Sequence, residues 1–431
     1  IWYKAEMKSI NSDKLIAFNS DDVISLATKN LNDESDEIKS LYNNNVCEKL
    51  SLEGNSELTD EEINNVLSTM TNLKYVSLKN VTNFTNLDFI KENSNLVEID
   101  LRGTSCTKLT NLNNCKNLIN LAVDNKNTDF TDIQNVINEL SKKERKRAYW
   151  SNYINFYPTI ESAKNLNNCT EIENIDIFEW PATKGEKILD LSSCTGLKKV
   201  KGQNTYIQVK CPQSLTTYIA SNNACPDLSS ATNITNFTDV AIQYSQEDLN
   251  KLFEDLSKSK NLNSLELHAM RDGITYSLNN IKKLKETSIK TLTLQDWNDG
   301  RGQQAFDSLV EIGEITSLKE LHVKNQKNLT STRGIEDLIN LTILDLYGSK
   351  ITNLTGIENL TNLTSIVLNN CDLYDTYLNQ NNKKTMKTLE ILANLNYKKN
   401  GNLKNLELYG NNKITEWNSV ANLSWESKKG F

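Results

Sequence analysis

Most signatures of catalysis, membrane insertion or nucleic-acid contact are missing from this 431-residue chain. Basic residues are not in excess: 48 Lys and Arg stand against 55 Asp and Glu, a formal charge of −7. A nucleic-acid binder needs a net basic face to displace counterions from phosphates, so no nucleic-acid partner is expected. No apolar run approaches the roughly 20 residues of a membrane helix, so no membrane span is expected. Histidine occurs only at His268 and His322. There is no Ser/His/Asp set with a local signature, no nucleotide-binding glycine loop and no EF-hand-type calcium loop. No Cys-x-x-Cys pair offers a zinc cage. Proline and glycine are scarce, at 4 and 15 residues. The opening Ile1-Trp-Tyr-Lys is no secretory signal and points to a mature or trimmed form. No catalytic residue, metal or cofactor is expected.

What the chain does have is one phrase, repeated. Leu341-Thr-Ile-Leu344-Asp-Leu346-Tyr-Gly-Ser349 places apolar residues at +3 and +5 and a small or polar one at +8. The spacing returns at Leu73/Val76/Leu78, Leu96/Ile99/Leu101, Leu118/Leu121/Val123, Leu262/Leu265/Leu267, Ile289/Leu292/Leu294, Leu318/Leu321/Val323, Leu363/Ile366/Leu368 and Leu403/Leu406/Leu408. Weaker copies are Cys47/Leu50/Leu52, Ile172/Ile175/Ile177, Leu197/Val200, Leu215/Tyr218 and Ile234/Phe237. Most copies lie roughly 22 to 29 residues apart, the leucine-rich-repeat period. One such unit cannot bury its apolar side alone, so the units must stack. The fold class is therefore α/β: a right-handed, curved leucine-rich-repeat solenoid with a parallel sheet on its concave face and helices and turns on its convex face.

Residues 1–45 lack the repeat and carry two short helical patterns, at Asp21–Ala27 and Asp36–Tyr42. They are expected to form a helical cap over the first coil. Residues 46–431 are the solenoid, with irregular units at about 127–171, 197–240 and 372–402. Between Leu121 and Ile175 a degenerate unit would use Ala148 and Trp150 in its apolar slots. Long return segments carry helical stripes at Ile63/Val66/Leu67/Met70, Ile133/Val136/Ile137/Leu140, Leu249/Leu252/Phe253/Leu256 and Phe306/Leu309/Val310. Another helix is expected around Met386–Ala393. Short returns such as 350–363 leave room for a single turn.

Two residue types follow the repeat phase. Cys115, Cys169 and Cys194 each lie three residues before a repeat's first apolar position, and Cys371 occupies a +8 slot. Such placement predicts buried thiols packing as small hydrophobes rather than disulfides. Asn is unusually abundant. At +8, where the chain turns out of the strand, its side chain can satisfy backbone groups left inside the coil. Asn55, Asn223 and Asn411 hold that slot, with Thr104, Ser349 and Cys371 as smaller stand-ins. The many Asn-x-Ser/Thr triplets, among them Asn233, Asn340 and Asn362, follow from the repeat rather than from glycosylation.

The stretch Leu338-Ile-Asn-Leu341 … Ile357-Glu-Asn-Leu360-Thr-Asn-Leu363, with its Leu-Thr-Asn-Leu junction, resembles bacterial internalin-type leucine-rich repeats. The match is close over roughly 318–371 and weaker over 73–126. Longer units elsewhere resemble the ribonuclease-inhibitor-like type. The resemblance implies a protein-binding module of a Gram-positive surface or secreted protein. No Leu-Pro-x-Thr-Gly anchoring signal is present.

Side chains alternate along a strand, so the residues between the buried leucines face the concave side. That rule selects Asp100, Arg102, Asp176, Phe178, Glu266, His268, His322, Lys324, Asp345, Tyr347, Asn369, Glu407 and Tyr409 as the candidate partner-binding surface. Tyr347 and Tyr409 share a column with Asn369 between them, and Asp345 and Glu407 share the adjacent one. A broad rigid surface suits a protein ligand; a glycan is the alternative, carried by the aromatic run Tyr149, Trp150, Tyr153, Phe156 and Tyr157. A third reading makes the chain the targeting half of a larger enzyme. His268 and His322 fall two repeats apart, about 10 Å at the spacing of stacked strands, too far to share a proton. The expected protein is a monomeric, non-catalytic recognition module acting outside the cell or at its surface.

Overall fold

A computed structural model describes residues 15–18, 23–26, 48–56, 58–143, 156–158, 160–178, 187–203, 207–221, 224–242, 244–269, 276–296, 306–379 and 384–431, and every structural statement refers to these. The chain divides into two compact units, Ile1–Pro212 and Gln213–Phe431.

Each repeat places one short strand beside the strand of the repeat before it. In the first unit the strands Lys49–Ser51, Tyr75–Ser77, Glu98–Asp100 and Asn120–Val123 pair in parallel, one from each coil. In the second unit the run is Thr217–Ser221, Asn236–Ile242, Ser264–Ala269, Thr291–Asp296, Glu320–Lys324, Ile343–Asp345, Ser365–Val367, Asn405–Glu407 and Ser427–Lys429. Every neighbouring pair in it is parallel. Parallel pairing is forced, because each coil returns the chain to the same side before the next strand starts. The +3 residues Leu265, Leu292, Leu321, Leu344, Ile366 and Leu406 are register partners. All of them are fully buried. The weaker copies obey the same rule: Leu197, Val200, Leu215, Tyr218, Ile234 and Phe237 are buried too. The Tyr218 and Phe237 rings stack at 5.0 Å, filling with aromatics what leucines fill elsewhere.

In several coils the chain leaves the strand through a left-handed residue at +7. Asn80, Asn325 and Asn370 hold φ of 59°, 58° and 54° there, and Gly103, Gly348 and Gly410 hold 72°, 71° and 80°. Glycine and asparagine are the residues that tolerate this region. They also alternate for a packing reason. The Asn80 side chain occupies the space where a Cβ on Gly103 would sit, and Asn325 and Asn370 do the same to Gly348 and Gly410.

The +8 residue then closes the turn as expected. Buried Asn411 donates from Nδ2 to the carbonyls of Leu368 (2.7 Å) and Leu408 (2.8 Å). Asn55 accepts from the Leu58 amide (3.0 Å), and Thr104 donates to Leu101 O (2.7 Å). Ser349 donates to Val323 O (3.0 Å), and the Cys371 thiol lies 3.3 Å from Leu346 O. Asn223 lies outside the described residues. A second asparagine ladder accounts for more of the excess. The Asn just before a repeat's first leucine donates from Nδ2 to a backbone carbonyl of the preceding coil: Asn95 to Thr71 (3.0 Å), Asn340 to Thr316 (3.1 Å), Asn362 to Ile339 (2.7 Å) and Asn402 to Thr361 (2.9 Å). Asn340 and Asn362 head Asn-Leu-Thr triplets, so the nitrogen a glycan would use is engaged between coils.

Three of the helical stripes form helices in the returns: Asp60–Thr69, Gln134–Lys142 and Gln246–Ser257. The first and third open with capping boxes, Thr59 with Glu62 and Ser245 with Asp248. Each satisfies two orphan amides at once. The fourth stripe does not form a helix: Ile312–Glu314 is a single 3₁₀ turn and Val310 is half exposed. Gly313 there lies against the Gly334 backbone of the next coil, too close for any side chain at that position.

Other expectations are corrected or extended. Where a helical pattern was read at Asp21–Ala27, Val23–Leu26 is a strand, antiparallel to Leu15–Phe18 and parallel to Lys49–Ser51. Its Val-Ile-Ser-Leu content suits a strand. The pattern at 36–42 lies outside the described residues. After Leu121 the strand Phe156–Pro158 pairs with Asn120–Val123, while Ala148 and Trp150, expected in the apolar slots of a degenerate unit there, lie outside the described residues. Residues 187–210 hold an additional parallel pair, Lys187–Asp190 with Ile207–Lys210, beside the expected pairing of Asn174–Phe178 with Lys199–Gln203. Finally, the helix around Met386 begins only at Thr388, because Lys384–Lys387 pairs antiparallel with Thr376–Asn379.

The seven described cysteines are free and buried. Burial pushes the thiols of Cys106, Cys194 and Cys371 up to about 12 and those of Cys115 and Cys169 up to about 11. A protonated buried thiol is a poor nucleophile. Iodoacetamide should therefore leave these seven unmodified in the native protein and modify all of them after denaturation, as counted by intact mass. Leu344→Ala should lower stability by about 3 kcal/mol, seen as an earlier urea midpoint, whereas Ser365→Ala on the outward face of the next strand should leave the midpoint in place.

Candidate recognition surface

Strand alternation sends three rows of side chains outward from the second unit's sheet. The register aligns Ser264, Thr291, Glu320, Ile343, Ser365 and Asn405 in one row, and Glu266, Thr293, His322, Asp345, Val367, Glu407 and Lys429 in the next. Two residues further along come His268, opposite Gln295, and Lys324, Tyr347, Asn369 and Tyr409 at the strand ends. Nine of the candidate residues are thus brought onto one face: Glu266, His268, His322, Lys324, Asp345, Tyr347, Asn369, Glu407 and Tyr409. Asp100, Arg102, Asp176 and Phe178 belong to the other unit. Phe178 ends the strand Asn174–Phe178, and its side chain lies outside the described residues.

The charged members of the face are partnered within it. Glu266 Oε1 lies 2.8 Å from His268 Nε2. That hydrogen bond holds the Glu266 carboxyl below the usual carboxylate range, with help from the Lys324 and His322 charges. Asp345 Oδ2 lies 3.4 Å from His322 Nδ1 and 3.0 Å from Lys324 Nζ, and Oδ1 accepts from the Tyr347 amide at 3.1 Å. Burial pushes the Asp345 carboxyl up, but these donors overcome it and hold it below the ordinary value. Glu320 approaches the other face of His322 at 3.6 Å. Glu407 accepts from Lys429 Nζ (2.9 Å) and from Asn369 Nδ2 (2.6 Å), and Asn369 Oδ1 accepts from the Tyr409 amide (2.8 Å). Its carboxyl is likewise held low, first by Lys429.

Burial contradicts the expectation that every alternating residue is open to a ligand. Asp345 is only 8% exposed, and Asp100 and Asp176 are buried as well. For Asp100 and Asp345 the reason is local: a strand-end aspartate caps its own turn and is covered by a longer neighbour. Arg102 closes over Asp100, with Nε 2.9 Å from Oδ1. Glu98 beside it is buried and accepts from Asn120 Nδ2 at 3.1 Å. The tyrosines differ. Tyr347 is 37% exposed and Tyr409 66%, and neither hydroxyl is engaged by another described residue. Sequence reasoning missed Lys429, which sits on an additional strand with no apolar repeat to announce it.

The two histidines do not meet. His268 and His322 lie on strands separated by Thr291–Asp296 and in different rows. Among the described residues no three His, Cys, Asp or Glu side chains gather as a metal site. No helix among them is long and apolar enough to cross a membrane. Of the aromatic run, Tyr149, Trp150 and Tyr153 lie outside the described residues, and Phe156 and Tyr157 are placed only as backbone in a strand.

The Asp345 carboxyl gives a pH dependence. The unfolded group titrates near the ordinary value of about 3.9, and the folded group below it. Between the two values the unfolded chain binds more protons, so this stabilisation is complete above the higher value and lost as pH falls through the lower one. Asp345→Asn should therefore lower stability at neutral pH and weaken its decline below about pH 4, measured by urea titrations across that range.

No family model matches the chain, and neither does any curated protein. Among solved structures it is similar to an internalin of Listeria monocytogenes, with 17% identity and a TM-score of 0.41 over 87% of this chain and 89% of the other. It is also similar to a leucine-rich-repeat protein of Leptospira interrogans, with 19% identity and a TM-score of 0.45 over 93% of each. The architecture rests on the register instead: one parallel strand per period, leucines buried in phase and left-handed residues at several strand exits give each unit a leucine-rich-repeat fold.

Proposed function

We propose that the chain is a non-catalytic recognition module that binds a protein partner through the outward face of the second unit's sheet, with Tyr347 and Tyr409 as its anchors. One observation carries this reading. On a face whose carboxylates and cations already hold one another, two large aromatic side chains stand exposed with free hydroxyls. Tyrosine at a rigid, exposed position is the kind of residue that supplies most of the energy at protein interfaces. Its ring buries apolar area, its hydroxyl makes one directed bond, and few rotamers are lost on binding. Val367 and Ile343, in the rows behind, add apolar surface. The acids beside the tyrosines are positioning residues: Asp345 and Glu407 hold Lys324, His322, Asn369 and Lys429 in place. Rigid strands suit this task, since a broad sheet face offers many side chains but no enclosed pocket for a metabolite.

The resemblance of residues 318–371 to internalin-type repeats extends the proposal to an exported or surface-displayed bacterial protein. Tyr347→Ala with Tyr409→Ala should abolish capture of the partner retained by the intact chain, without changing the urea midpoint. Because the charges are internally matched, salt should weaken that capture little. Retention of the partner by the double variant would place recognition elsewhere.

A further inference from the structure

The tyrosine face has a spacing and a hydrogen-bonding bias that select among protein ligands. We propose that its occupant is a proline-rich segment in the polyproline II conformation, a proposal that rests on the reading of Tyr347 and Tyr409 as anchors.

The argument begins with distance. Ile343–Asp345, Ser365–Val367 and Asn405–Glu407 are consecutive strands, so Tyr347 and Tyr409 stand two strand spacings apart. At about 4.8 Å per spacing that is about 9.6 Å. A polyproline II helix advances about 9.3 Å per three-residue turn. A segment running across the strands would thus place equivalent residues over the two rings, one turn apart, with Asn369 beneath the residues between.

Hydrogen-bond chemistry agrees. Proline lacks an N–H, so a polyproline II backbone presents carbonyl acceptors and few donors. The face offers the complement. The acceptor oxygens of Glu407 and Asn369 are occupied by Lys429, by the Asn369 amide nitrogen and by the Tyr409 backbone amide. The two tyrosine hydroxyls are free to donate. A sugar needs acceptors and donors in one plane, and Asn369, the planar amide between the two rings, is engaged through both its nitrogen and its oxygen. Charge points the same way. Asp345 and Glu407 are matched by Lys324 and Lys429, so an uncharged segment can approach without leaving either acid unpaired. A preformed polyproline II helix also surrenders little entropy when it docks on aromatic rings.

The test uses the full chain and a capped fluorescent decaproline, followed by fluorescence anisotropy, with a Gly-Ser peptide of equal length and chitohexaose as controls. Decaproline should bind and the Gly-Ser peptide should not. Tyr409→Ala should weaken binding by at least about tenfold, as expected of a hot-spot residue, and Tyr409→Phe by a smaller factor that reports the hydroxyl. Val310→Ser, on the return side, should leave binding unchanged. Absence of decaproline binding above the Gly-Ser control, or binding that survives Tyr347→Ala with Tyr409→Ala, would overturn the proposal. So would chitohexaose binding that the same variants abolish while decaproline stays silent. If decaproline fails but the double variant still loses a captured protein, the anchors stand and only the polyproline assignment falls.

Discussion

The constraint on which the rest depends is that every coil must satisfy its backbone without closing on itself. A single repeat has one strand, which cannot pair its own N–H and C=O groups, and a return that pairs only part of its own. The next coil supplies the partners. Strand ladders do it on one side, and side-chain amides do it elsewhere: Asn411 inside the turn, and Asn95, Asn340, Asn362 and Asn402 across the junction between coils. Register follows from this. A coil shifted by one residue would lose its amide rung and turn its leucines outward together.

That same requirement shapes the outward face. Strand-end aspartates such as Asp345 and Asp100 cap their own turns, so they are drawn down toward the sheet and covered by Lys324, His322 or Arg102. An acid-rich strand sequence therefore builds a face whose charges are largely matched. Under the proposed reading, what it offers a ligand is decided by large exposed residues that no other described side chain engages, of which Tyr347 and Tyr409 are two on the second unit. Affinity from such a face comes from area and a few directed bonds rather than from long-range attraction.

Much of this was legible in advance. The leucine phase located the strands of the clean repeats, because burial at +3 and +5 is written at fixed local spacing. Three helical stripes were legible for the same reason, and Thr59 and Ser245 marked two of their starts. The stripe at Phe306–Val310 carries the helical spacing without forming a helix. The strand at Val23–Leu26 was misread and the one at Phe156–Pro158 went unread, because neither carries the leucine spacing; their partners lie in other coils.

By itself the sequence determined the repeat, the parallel stacking, the burial of the cysteines and which side of each strand is outward, since all of these follow from periodicities of a few residues. Only the tertiary structure decided which outward residues are available. The partners of Asp345 at His322 and Lys324, and of Glu407 at Lys429, lie about one coil away along the chain. Whether a carboxylate meets a cation there depends on the register between coils, and no local pattern records it.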